Sequence, residues 1–129
     1  MLKIYVASSL HNKSNVNDLY KYLGRLGHTI TYDWTTHGGV NDPEALKSIC
    51  LKEFNGVVDC DLLIMLMPAR LGSHVELGVA LALARPVIII TEGDDFEIKS
   101  FYYMDNVHMI DGIDQLEETI NKIMEQEND

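Results

Sequence analysis

The chain has 129 residues, 47% of them hydrophobic, and a formal net charge of −10. Its length and composition fit one globular domain over residues 1–129, with enough apolar side chains for a core. The negative balance argues against a nucleic-acid polymer as partner, since neutralising phosphates takes clustered Lys and Arg, and no apolar run approaches the roughly 20 residues of a membrane span. Cys50 and Cys60 form no CxxC pair, which points to reduced thiols in the cytoplasm rather than a disulfide or a metal site. The chain opens on a strand-like run, so no signal peptide is expected. Much of the acidic charge falls in Glu92–Glu97 and Glu117–Asp129, two stretches expected to be solvated surface.

In chain order, Lys3–Ala7 is a short β-favouring run that stops at Ser8-Ser9. Ser8–Asn15 is polar and expected to be a loop. Val16, Leu19, Tyr20, Leu23 and Leu26 recur at helical spacing, and Gly27 follows as the C-cap. His28–Trp34 alternates and is predicted as a second strand, followed by a loop over Thr35–Asn41. Asp42-Pro43 starts a helix that runs to about Val58, with Leu46, Ile49, Cys50, Phe54 and Val57 expected inward. Asp61–Met67 is continuously apolar, as a strand buried on both faces should be. A small-residue helix follows Gly72, expected to be well buried, and Arg85-Pro86 stops it. Val87–Thr91 is a fourth strand; a loop over Glu92–Asn106 holds a turn of helix near Phe101–Met104. Val107–Ile110 is a fifth strand, and Ile113–Met124 an amphipathic closing helix.

Strands alternating with helices imply a parallel sheet with right-handed crossovers. Five of them suggest an α/β, flavodoxin-like, three-layer fold with order 2-1-3-4-5. The switch point then lies between strands one and three, which sets Ser8-Ser9 beside Pro68–Glu76 across one crevice. The chain is organised around the stretch Gly72-Ser73-His74-Val75-Glu76-Leu77-Gly78 at that crevice. Ser73-x-x-Glu76 fits a capping box. It equally fits a carboxylate held at a helix N-terminus near the strand ends, with Gly72 opening the backbone to a ligand and Gly78 letting the helix sit tight on the sheet.

Other chemistries lack their residues. The loop after the first strand has no glycine, so it is neither a GxGxxG nor a Walker loop. Strand three ends Met67-Pro68 without an acidic phosphoacceptor. His11, His28, His37, His74 and His108 show no metal spacing, and no serine sits in a Gly-x-Ser-x-Gly elbow.

Four segments carry a resemblance. They are Lys3–Ser9, Gly27–Trp34, Phe54-Asn55-Gly56 with Asp59-Cys60-Asp61, and Pro68–Pro86, of which Gly72–Ala82 is the most specific. Through them most of the chain resembles the nucleoside 2-deoxyribosyltransferases and the related 2'-deoxynucleoside 5'-monophosphate N-glycosidases. The resemblance implies a retaining enzyme acting at the N-glycosidic bond of a (deoxy)nucleoside or its monophosphate. Glu76 matches the nucleophile that forms a covalent sugar ester. Tyr5 matches the tyrosine that orients it, and Glu53 an aspartate that binds and protonates the departing base. Arg70 stands where the transferases carry an acid and the monophosphate glycosidases a serine; an arginine suits phosphate. Ser8, Ser9 and Ser73, with the helix N-terminus, are expected to complete such an anion site, and Gly72 to let the substrate approach the backbone. Trp34 walls the base or belongs to the core. Phe101-Tyr102-Tyr103 is a neighbouring subunit's loop or ordinary interface surface. The resemblance further implies a small-molecule nucleoside or nucleotide substrate, a homodimer or higher homo-oligomer, and no metal or organic cofactor. Alternatives are a monophosphate hydrolase, a non-catalytic nucleotide-binding module, and an interaction domain in which Ser73-x-x-Glu76 is only a cap.

Overall fold

The structure is a computed structural model, and it describes residues 1–93 and 99–127. The part of the acidic stretch over 94–98, and residues 128–129 of the tail, lie outside the described residues. Five strands form one parallel sheet: β1 (Lys3–Ala7), β2 (Thr29–Ile30), β3 (Leu62–Leu66), β4 (Val87–Ile90) and β5 (Val107–Ile110). Their order is β2-β1-β3-β4-β5, the flavodoxin-like arrangement. Four α-helices flank it: α1 (Lys13–Arg25), α2 (Pro43–Asp59), α3 (Leu71–Ala82) and α4 (Leu116–Glu127).

The three central strands form the core because nearly every residue in them is apolar. All five residues of β3 and all four of β4 are buried, as both faces carry helices. Register pairs Tyr5 with Leu63 and Ala7 with Met65, so β1 and β3 end side by side. The chain leaves β1 towards β2 on one side and reaches β3 on the other. Their carboxyl ends therefore open a crevice, the place where ligands bind in such sheets. Among the described residues, no helix is long and apolar enough to cross a membrane.

Several local expectations need correction. The second strand is two residues long rather than spanning His28–Trp34. Thr31 still donates to the Ile4 carbonyl, but Asp33 then caps a 3-10 turn over Trp34–Thr36 by accepting from Thr35 N at 2.9 Å. Trp34 turns under the end of β1 and donates Nε1–H to the Val6 carbonyl at 2.6 Å. The loop expected over Ser8–Asn15 is mostly helical, because Ser9 caps a 3-10 turn over Leu10–Asn12 that runs into α1. Gly27, at φ 92°, ends that helix as expected.

The faces of α2 and α3 also differ. Leu46, Cys50 and Phe54 are exposed instead of inward, while Val57 is buried. Helix α3 is only partly buried: Ser73, Leu77 and Ala80 face in, whereas Leu71 and Val75 are exposed. Gly78 is exposed, and a Cβ there would meet nothing within 4 Å, so it does not serve close packing on the sheet.

Candidate active site

The crevice between β1 and β3 is floored by one carboxylate and one phenol. Helix α3 begins at Leu71 with Arg70 as its N-cap, and no side chain caps it. Glu76 therefore sits in the second turn, beyond reach of the N-cap amide. The capping-box alternative fails on both residues. Ser73 Oγ donates to the Ser8 carbonyl at 2.8 Å, and Glu76 accepts instead from the Tyr5 hydroxyl. Tyr5 is fully buried in the centre of β1, so its ring is fixed and its hydroxyl aims along the crevice floor.

A second carboxyl faces the first. Glu53, from the second half of α2, lines the same cavity, and each carboxyl feels the other. Burial pushes the Glu76 carboxyl up to about 8; the Tyr5 hydrogen bond opposes this and Glu53 adds to it. Glu53 is raised too, chiefly by burial, with His37 and Glu76 acting the other way. Two carboxyls this near do not both ionise readily, so the pair keeps a proton over a wide pH range, and the Glu53 charge helps to hold it on Glu76. Tyr5 is driven up by burial and then by Glu76, so it remains a neutral donor.

Above this pair lies a cavity of about 340 Å³ lined by Ser8, Leu10, Trp34, Cys50, Glu53, Phe54, Val57, Gly72, Ser73, Val75, Glu76 and Val79. Its walls are mainly apolar, and its acidic groups are the two carboxyls. Gly72 lines it on an open side, where a Cβ would meet nothing within 4 Å. Small-molecule sites have this character, a shaped apolar pocket with a few convergent polar groups.

Of the residues singled out from sequence, Tyr5, Glu76 and Glu53 come together, and Ser8, Trp34, Gly72 and Ser73 border them. The hydroxyls of the serines have backbone partners. Ser8 Oγ donates to the Leu66 carbonyl at 2.7 Å and accepts from Asn12 Nδ2 at 3.0 Å. Ser9 is buried outside the cavity wall and its Oγ accepts from His11 N at 3.2 Å. Arg70 is exposed and borders a different groove, of about 1080 Å³, between α3 and the 3-10 turn Ser100–Tyr103. In that groove His74 Nε2 lies 2.6 Å from the Tyr102 hydroxyl, and His74 Nδ1 donates to the Arg70 carbonyl at 2.8 Å. Among the described residues, no group of three or more His, Cys, Asp or Glu could hold a metal ion.

Sequence reasoning missed Tyr20 and the Tyr32–His37 pair. Tyr20's hydroxyl is buried without a hydrogen-bond partner, under the influence of Asp33 and Glu76. Tyr32 and His37 stack on each other, with Tyr32 against α2 at Gly56. Nothing in their local spacing marks them. The stripe Cys50, Phe54, Val57 was visible at helical period, but only Val57 packs into the core, while Cys50 and Phe54 face the cavity.

No protein-family model matches the chain, and no curated protein matches it in sequence. Solved structures do match. One is the CMP N-glycosidase BcmB of Clostridium botulinum, with a TM-score of 0.61 and 20% identity over 94% of this chain and 97% of that one. At that identity the likeness is one of fold.

Proposed function

We propose that the protein breaks the N-glycosidic bond of a (deoxy)nucleoside or its 5'-monophosphate through a covalent sugar ester on Glu76. The observation that carries this reading is the placement of Glu76 between a donating phenol, Tyr5, and a second carboxyl, Glu53, beneath a cavity of about 340 Å³. The fold is also that of an enzyme named for N-glycosidic cleavage of CMP.

The chemistry balances on one proton. The reactive form has the anion on Glu76, where the Tyr5 donation favours it, so the shared proton must first pass from Glu76 to Glu53. A Glu76 oxygen attacks the anomeric carbon, the carbon–nitrogen bond breaks, and its electron pair leaves with the base. Glu53 delivers its proton to that base. The growing positive charge on the sugar is met by the buried carboxylate. Water, or a second base, then attacks the same carbon; Glu53 recovers a proton and Glu76 leaves as carboxylate. Water makes the protein a hydrolase, and a second base makes it a transferase.

Phe54 and Trp34 supply apolar walls suited to a flat base. A homo-oligomer is part of the same reading. Leu71, Phe101 and Tyr103 are 87%, 62% and 68% exposed on or beside the larger groove, apolar surface that a second copy could cover.

The test is incubation with each nucleoside and monophosphate, with and without a second free base, followed by chromatography. Free base and free sugar mark hydrolysis, and a new nucleoside marks transfer. No product from any substrate at high enzyme concentration removes the reading.

A further inference from the structure

A buried polar network joins the ends of β1 and β3 beside the cavity. Its hub is Asn12, 7% exposed where the 3-10 turn Leu10–Asn12 runs into α1. Asn12 Nδ2 donates to Ser8 Oγ at 3.0 Å and to the Met67 carbonyl at 3.3 Å. Asn12 Oδ1 accepts from Asn15 Nδ2 at 2.7 Å. The Met67 carbonyl only accepts, so the amide end that meets it and Ser8 is the donating one. Ser8 Oγ lies 2.7 Å from the Leu66 carbonyl and 3.3 Å from that of Pro68, and both of these also only accept. The single Ser8 proton is therefore spent on the backbone, and one lone pair is taken by Asn12. What Ser8 has left for a ligand is its other lone pair. Ser8 lines the cavity, and Asn12 does not.

This side of the cavity adjoins the nucleophile. Ser73 Oγ donates to the Ser8 carbonyl at 2.8 Å, and Ser73 stands three residues before Glu76 on the same face of α3. The amides of Leu71, Gly72 and Ser73 have no partner within the helix, and no side chain caps them. A hydroxyl donates to Ser8 and accepts from such an amide at once. A phosphate or carboxylate oxygen without a proton does only the second.

We propose that Asn12 is a positioning residue for Ser8: it holds the Ser8 hydroxyl with its proton on the β3 backbone, so that the oxygen receives a hydrogen bond from a free hydroxyl on the sugar of the substrate. This rests on the proposed function, in which the sugar stands over Glu76. Ser8 is then an acceptor that reads the sugar, the opposite of an anion ligand.

Binding is measured by calorimetry in Glu76→Gln, which forms no ester and leaves each ligand whole. The ligands are the ribonucleosides, the 2'-deoxynucleosides and their 5'-monophosphates. For the tightest of them, analogues lacking one sugar hydroxyl at a time are compared with the parent. Loss of one particular hydroxyl raises Kd at least about fivefold. The same deletion costs less than about twofold once Ser8→Ala, Asn12→Leu or Asn12→Ala is added, because the contact is already gone. A variant that merely loosens the fold weakens parent and analogue alike and leaves their ratio at about fivefold, and that result overturns the inference. A protein in which no hydroxyl changes Kd by more than about twofold overturns it too. Thermal melts establish that each variant is folded. If Asn12→Leu is not, Asn12→Ala is read by the same ratio, and an unmoved ratio in Ser8→Ala overturns the inference by itself. Absence of binding by every ligand, with no turnover in the wild type, sinks the proposed function. Binding with an unmoved ratio sinks only the role of Asn12.

Discussion

The Tyr5 hydroxyl donates a hydrogen bond to the Glu76 carboxylate, tying the middle of β1 to the second turn of α3. It is the one contact that opposes the burial of that charge. Tyr5→Phe removes the donor and leaves the ring. Glu76 then moves further up, and less of the anion is present at neutral pH. We expect kcat to fall by about 10- to 100-fold and the acid limb of the pH–rate profile to shift to higher pH. Steady-state rates from pH 5 to 9 check this.

Glu76 also makes stability depend on pH. Its ordinary value of 4.5 rises to about 8 in the folded chain. Between those values the folded state holds a proton that the unfolded state has released, so stability falls as pH rises through this window and levels off above it. Glu76→Gln keeps an acceptor for Tyr5 and removes this slope, although Glu53 retains some. The variant should melt near wild type at pH 4.5. By pH 8 it should be more stable, by on the order of 1–3 kcal/mol. Denaturant melts at the two pH values measure the difference, and a wild type whose stability is flat across the window contradicts it.

Gly56 is where Tyr5, Tyr32 and α2 meet. An added methyl group would stand 2.9 Å from Tyr32 Cβ, an atom too close to the backbone to yield. Gly56→Ala must therefore lift α2 away from β1. We expect a loss of about 1–3 kcal/mol, read as a fall of several degrees in Tm. Activity should fall as well, because Glu53 is displaced with the helix.

Tyr20 carries a buried hydroxyl with no partner. An unmet buried hydroxyl costs about 1–3 kcal/mol. Tyr20→Phe should thus leave stability unchanged or raise it by about 1 kcal/mol, which calorimetry detects. A clear fall in Tm would mean that the hydroxyl is bonded in solution.

The strand order was legible because it follows from local patterns plus one topological rule, whereas the meeting of Tyr5, Glu53 and Glu76 was expected only through the family resemblance. The apolar runs of β3 and β4 announce strands buried on both faces, and the alternation with helices dictates parallel pairing. The end of β2 was not legible, since Tyr32-Asp33-Trp34 alternates like a strand. What ends it is tertiary, the bond from Trp34 Nε1 to the Val6 carbonyl. Helical period likewise gave the stripe on α2 but not what it faces. Cys50 and Phe54 look onto the cavity, an open space that no spacing rule can mark. Ser73-x-x-Glu76 satisfied a capping pattern, yet α3 starts two residues before Ser73, and both side chains found partners on or beside β1. The Tyr32–His37 contact was invisible for a similar reason, since it is set by packing against α1 and α2 that no local spacing shows.

The most direct measurement of the central claim is intact mass during turnover. Enzyme mixed with a substrate it cleaves is quenched in acid within the first turnovers and weighed. The account predicts a species heavier by one (deoxy)ribosyl group, or its phosphate, located by peptide mapping to the segment holding Glu76 and missing from Glu76→Gln. Rapid turnover with no such species, or an adduct that persists in Glu76→Gln, contradicts it.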